Sequence, residues 1–335
     1  MKIAVIGAGA IGSLVAGYLK DKRKDVFLIG NPASAEAIKR DGLSISGTRG
    51  DFKLRLDTAS RMSASCDLAV LAIKTQDVEK AIKDNLDFIK DAVVLTTQNG
   101  VQADNIVARY IPKEKIISSI VMFGSTCIEP AKVVHNFEGS WIIGKGFCPN
   151  DTDTQETAAI LGEIFPVVVT ADIRGMKYLK LFVNVNNCIP ALLGMSMQEA
   201  FSDVNISRIS IGIWDEGFDI VTKAGIKLVS LPDFPLERLT KLLSLPSLEA
   251  AKIFSGIMVN LSKEPLYGSI LQSIKRKRPS EIDYINGEFV NIARQNGIDA
   301  ALNESLVELV HQVEKTGKFI SKETLLEKTK NFIYG

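Results

Sequence analysis

A chain of 335 residues, 46% hydrophobic and 24% charged, has the length for two domains with sizeable buried cores. Its 40 Lys and Arg stand against 39 Asp and Glu, a formal net charge of +1, so no global field draws it to nucleic acid or to an anionic membrane. The four cysteines, Cys66, Cys127, Cys148 and Cys188, lack the spacing of a zinc site or a disulfide framework, and no uncharged apolar segment is long enough to span a bilayer, so small-molecule chemistry in a reducing cytoplasm is the expectation.

In chain order, residues 2–6 read as a buried strand, 13–20 as a helix and 25–30 as a second apolar strand. The first two are joined through Gly7-Ala8-Gly9-Ala10-Ile11-Gly12, a G-x-G-x-x-G turn in the βαβ setting it needs. There Gly7 permits the tight turn, Gly9 lets the backbone approach a pyrophosphate, and Gly12 lets the helix pack on the strand with its N-terminus facing the anion. A signal peptide is the competing reading of the apolar run to Leu19. Secretion has no use for glycines at this spacing, and residues 26–29 supply the partner strand that only the folded reading requires.

Residues 66–73 read as a buried parallel strand, 77–90 as a helix and 92–98 as another strand, the alternation of a doubly wound sheet. Residues 116–123 continue the series. Residues 132–136 and 140–143, separated by Phe137-Glu138-Gly139, read as a hairpin that closes the sheet antiparallel. The polar cluster at 150–154 opens a helix, and 167–170 is the last strand. Beyond it the signals are helical, clearest at 174–193 and at 281–296, the latter stopped by Gly297. The expected fold is α/β: a Rossmann-type doubly wound domain over residues 1–171, followed by an all-helical domain over 172–335.

Only two histidines are present, His135 and His311, and both read as structural or solvent-facing, so another proton donor is needed. Lys180, Asn184 and Cys188 stand at i, i+4 and i+8 of a helix that is apolar nearly all round, and so share one face. A lysine in such surroundings loses hydration, which lowers its pKa toward general-acid work. A lysine snorkelling to solvent fits this helix equally well. Ser280-Glu281-Ile282-Asp283 reads locally as a helix start, with Ser280 as N-cap and Asp283 in the N3 place of a capping box, unless Glu281 turns toward a ligand. Lys74-Thr75-Gln76 and Gln98-Asn99-Gly100 follow strands at the carboxyl edge of the sheet, where open α/β folds bind ligands. The run Lys275 to Arg278 reads as a solvated face.

These pieces resemble the ketopantoate reductases, the 2-dehydropantoate 2-reductase family, over nearly the whole length. The matching motifs are Gly7-x-Gly9-x-x-Gly12, Asp41-Gly42-Leu43, the strand ending in Lys74, Gln98-Asn99-Gly100, Val133-Val134-His135 with Ile143-Gly144, Lys180-Leu181-x-x-Asn184, and Ser269-x-Leu271-Gln272 with Ser280 to Gly287. The resemblance implies NADPH-dependent reduction of a 2-oxo acid, most directly ketopantoate to pantoate in pantothenate and coenzyme A biosynthesis. It makes Lys180 the general acid and Glu281 the partner of the substrate hydroxyl. It places Asn99, Asn184, Cys188 and Ser269 on the substrate. The glycine turn with Ala8, Ala10 and Ile11, together with Asn31, Lys74 and Asn99, falls on the cofactor. It implies a substrate-binding helical domain that also forms a homodimer, and no metal.

Three departures stand out. Asn31 occupies the place of the arginine that grips the 2′-phosphate of NADPH, and no acid is there to indicate NAD instead. Cys188 and Leu266 replace two substrate-contacting asparagines, losses that weaken discrimination for a hydroxyl-bearing substrate. Three alternatives follow: a reductase of a less polar 2-oxo acid, another NAD(P)-linked hydroxyacid or opine dehydrogenase, and a non-catalytic NADP(H) sensor. Retention of Lys180, Asn184 and Glu281 counts against the sensor.

Overall fold

The computed structural model describes residues 1–333, which divide into two compact units, the first Met1–Arg174 and the second from Gly175 onward. The first unit opens with β1 (Lys2–Ile6), α1 (Ala10–Asp21), β2 (Asp25–Ile29), α2 (Pro32–Asp41), β3 (Leu43–Gly47), β4 (Phe52–Leu54) and β5 (Asp57–Ala59). It continues with β6 (Leu68–Leu71), α3 (Val78–Ile89), β7 (Val93–Thr96), α4 (Ala103–Val107), β8 (Ile116–Val121), β9 (Gly124–Glu129), β10 (Lys132–Phe137), β11 (Trp141–Gly144), α5 (Thr152–Gly162) and β12 (Val167–Val169).

The main sheet has eight strands in the order β12-β11-β8-β7-β6-β1-β2-β5, and every neighbouring pair is parallel except β11 with β8. Central strands β1, β6 and β7 are apolar at nearly every position because both faces are covered, which is why they read as continuous hydrophobic runs. The order reverses between β1 and β6, so the Gly7 turn leaves the sheet at the switch point.

The expected hairpin between residues 132–136 and 140–143 does not form. Strand β11 does join the main sheet antiparallel to β8, with Ile120 opposite Ile142. Strand β10 instead enters a second sheet, β4-β3-β10-β9, where it pairs antiparallel with β9 and parallel with β3. Two long segments, 116–129 and 132–144, each change sheets, the first at Met122-Phe123 and the second at Glu138 to Ser140. The true turn is Pro130-Ala131, where Ala131 adopts a φ of 68° as the third residue of a type II turn requires. The second sheet covers α1: a Cβ on Gly17 would stand 2.3 Å from the Ile45 side chain of β3.

The second unit is helical: α6 (Ile173–Val185, beginning just before the division), α7 (Cys188–Leu193), α8 (Met197–Phe201), α9 (Val204–Lys223), α10 (Leu236–Leu243), α11 (Ser247–Val259), α12 (Ser269–Lys275), α13 (Ile282–Asn296), α14 (Ala301–Thr316) and α15 (Lys322–Ile333). The single helix expected over 174–193 is broken after Val185. The carbonyl of Phe182, which a continuing helix would spend on its own backbone, accepts from the Trp214 indole at 2.7 Å, and Asn187 N turns back to Asn184 O at 2.9 Å. Gly297 ends α13 with a φ of 66°, as a left-handed cap should. No described helix is long and apolar enough to cross a membrane.

At the sheet-switching point a Cβ on Gly139 would stand 2.4 Å from the Met122 carbonyl oxygen, and backbone cannot retreat as a side chain can. Gly139→Ala is expected to destabilise the protein by about 1–3 kcal/mol, read as a lowered midpoint in chemical denaturation.

Candidate active site

Each glycine of the first turn has a distinct reason to be glycine. Gly7 has a φ of 121°, and a Cβ there would lie 2.4 Å from Ala72 O. A Cβ on Gly12 would lie 1.8 Å from Gly7 O, so the helix can pack this closely on the strand exit only without a side chain. Gly9 is different: its backbone is extended (φ −89°), and a Cβ would meet nothing within 4 Å. The open space lies at the N-terminus of α1, whose N-cap makes no side-chain bond and whose first turn holds no acid. Such a space, with the partial positive charge of a helix N-terminus aimed into it, has the chemistry to hold a diphosphate. Ala8, Ala10 and Ile11 line the same turn, half-buried.

Two neighbouring loops are fastened together beside it. The Gln98 amide, nine-tenths buried, donates to Leu71 O at 2.7 Å and Ile73 O at 2.9 Å, and accepts from Thr97 N at 3.1 Å. Thr97 Oγ1 also donates to Leu71 O at 2.8 Å, and Thr75 Oγ1 donates to Asn99 O at 3.3 Å. Gln98 is therefore structural, and its work is to hold Lys74 and Asn99, both half-buried, on one rim of the sheet. Asn31 is the N-cap of α2, its Oδ1 accepting from Ser34 N at 2.9 Å.

In the second unit, Lys180 and Asn184 lie one turn apart on the same face of α6, both half-buried. Burial pushes the Lys180 ammonium down to about 8, with the charge of Asp233 working against that drop. Cys188 does not extend this face, because the helix breaks before it. It is wholly buried at the start of α7, where Asn286 Nδ2 donates to its sulfur at 3.6 Å and burial pushes the thiol up to about 12. Asn286 also donates to Asn303 Oδ1 at 3.1 Å, and Asn303 Nδ2 donates to Glu216 at 2.7 Å, a buried chain that links α7, α13, α14 and α9. Sequence reasoning missed this chain. Its only signal is the presence of asparagines on apolar helix faces.

Ser269, exposed, begins α12, and the preceding Gly268 lies so close to the Asn187 side chain that a Cβ would be 3.2 Å from it. Glu281, half-buried, is itself the N-cap position of α13 in place of Ser280. Ser280 Oγ accepts from Ile282 N at 3.3 Å, while the Ser280 N–H donates to Glu314 at 2.8 Å. Asp283 does not close a capping box; it pairs with His311 at 2.9 Å. His135 is buried, with Tyr18 Oη 2.8 Å from its Nδ1 and the rings of Phe123 and Phe165 against it. Both histidines are thus occupied structurally, and among the described residues no cluster could hold a metal ion.

The family models for ketopantoate reductase PanE/ApbA match residues 3–146, and those for its C-terminal part match residues 172–314. The 2-dehydropantoate 2-reductase of Pyrococcus horikoshii is 31% identical over 95% of this chain and 99% of its own length. That of Archaeoglobus fulgidus is 25% identical over 93% and 98%. Among solved structures, a PanE/ApbA family ketopantoate reductase from Ralstonia eutropha superposes with a TM-score of 0.80 at 24% identity, covering 94% of this chain and 99% of that one. The ternary structure of D-mandelate dehydrogenase with NADH and anilino(oxo)acetate gives 0.81 at 25% identity over the same shares.

Gly9→Ala should leave the denaturation midpoint unchanged, because nothing meets the new methyl, yet weaken dinucleotide binding about tenfold or more by intruding on the cradle. Gly12→Ala should unfold more easily as well. Calorimetric titration beside a melt separates the two effects.

Proposed function

This chain belongs to the ketopantoate reductase family, and we propose that it reduces 2-dehydropantoate to pantoate with NADPH in the cytoplasm, with Lys180 as proton donor. The observation that carries the reading is a lysine at the family's position on an apolar helix, its pKa lowered by burial to the range a general acid needs near neutral pH. A dinucleotide held at the glycine turn would supply hydride to the ketone carbon. Lys180 Nζ gives a proton to the carbonyl oxygen as charge develops there, and is left as a neutral amine that its surroundings favour. Asn184, one turn along α6, orients the same oxygen, and Asn99 presents an amide from the Gln98-held rim. Glu281 accepts from a substrate hydroxyl, and Ser269 donates to the carboxylate. Donors fixed before reaction stabilise the forming alkoxide without reorganisation.

Gly7 to Gly12 hold the pyrophosphate in this reading, with Asn31 and Lys74 along the rest of the dinucleotide. Cys188 acts indirectly, through the Asn286 bond that fixes the start of α7. The helical unit would also carry the contacts of a homodimer; exposed Leu248, Ile253 and Ile257 on α11 are the surface that supports this.

A second reading has its own support. Leu266 and Cys188 offer no amide to a substrate hydroxyl, and the D-mandelate dehydrogenase structure holds NADH and an aryl oxo acid analogue. A branched or aromatic 2-oxo acid would suit such a site.

A panel of 2-oxo acids, each with NADPH and NADH, decides between them: fastest turnover with ketopantoate supports the first reading, and fastest with an unhydroxylated acid supports the second. Lys180→Ala should lower kcat by about 10²–10⁴-fold with cofactor affinity nearly unchanged. Because the proton-donating form exists below the pKa, reduction should fall as pH rises through about 8 and the reverse oxidation should rise through the same pH. Near-normal turnover by the variant would remove Lys180 from the chemistry.

A further inference from the structure

The end of β2 offers no cation to a 2′-phosphate, yet a cation follows the neighbouring strand, β5. Strands β2 and β5 are parallel neighbours with Ile29 opposite Ala59, and Gly30 N donates to Ala59 O at 3.0 Å. Asn31 lies two residues beyond Ile29, and Arg61 lies two residues beyond Ala59, so they leave the sheet side by side. Gly30 also abuts the pyrophosphate turn, since a Cβ there would be 2.6 Å from Ala8 Cβ. Arg61 is exposed, and among the described residues its guanidinium makes no hydrogen bond or ion pair. Asp84, an acid that feels its charge, is already paired with Lys80. A cleft of about 370 Å3 runs along this edge from Asp25 past Phe27 and Ile29 to Arg61 and Ser63.

We propose that Arg61 is the specificity-determining residue for the 2′-phosphate on the adenosine half of the cofactor, the part that Asn31 cannot play. Arginine presents a planar fork of donors that matches a phosphomonoester, and here none of them is committed elsewhere. Asn31 assists: its Oδ1 caps α2, and the Nδ2 of this exposed side chain is a further donor. No carboxylate follows β2, so nothing at that strand end accepts from a ribose diol, and the carboxylates that line the cleft, Asp25 and Asp57, stand at the opposite, first residues of β2 and β5.

The inference rests on the dinucleotide reading above, and its test reads binding without turnover. Calorimetric titrations compare NADPH with NADH, and 2′,5′-ADP with 5′-AMP, on the wild type, Arg61→Ala and Arg61→Lys. The wild type is expected to prefer each 2′-phosphorylated ligand about tenfold or more. Arg61→Ala should lose about ten- to a hundredfold on those ligands alone, with NADH and 5′-AMP within about twofold, and Arg61→Lys should recover part of the loss. Equal losses on both members of a pair, no loss, or a wild type that prefers NADH would each overturn the role of Arg61 while leaving a dinucleotide reductase in place. Failure of all four ligands to bind the wild type would overturn both.

Discussion

Stripping water from one ammonium group is the constraint on which the rest of the helical unit depends. Lys180 sits on a largely apolar helix, and burial disfavours its charge. That helix also stops within two turns of the lysine, just after Asn184, where the chain turns into α7. The stop leaves carbonyls without intrahelical partners, and the structure answers with Trp214 on Phe182 O and Asn187 N on Asn184 O. Asn286 then fixes the first residue of α7 through the Cys188 sulfur.

In the sheet unit the corresponding constraint is close approach of backbone to backbone. Gly12 against the Gly7 carbonyl brings α1 down on the strand exit, and the open space above Gly9 follows from that packing. The rims are secured by amide chemistry, with Gln98 binding the ends of β6 and β7 into one platform.

Much of this was legible in the chain, because the features that matter repeat locally. The glycine turn, the buried parallel strands, the Gly297 stop and the lysine on an apolar helix are each fixed by a few adjacent residues. What escaped depends on distant partners. Strand β10 alternates like any hairpin strand, and only the positive φ of Ala131 and the pairing of β11 with β8 send it to a second sheet. A run of apolar residues over 174–193 gives no sign that Trp214 will take a carbonyl and end the helix early. Asp283 carries the signature of a capping box, yet His311, 28 residues away, competes for its carboxylate and wins. Arg61 belongs to no motif at all; its place beside Asn31 follows from the register of β2 and β5.

The central claim is that desolvation makes Lys180 the proton donor, and the most direct measurement is of that proton itself. Titration of the Lys180 Nζ resonance by lysine-selective NMR, assigned through Lys180→Arg, should give a midpoint near 8 that coincides with the pH at which reduction of the 2-oxo acid falls. A midpoint near the ordinary lysine value of 10.5, or a rate that falls at a pH unrelated to it, would contradict the account.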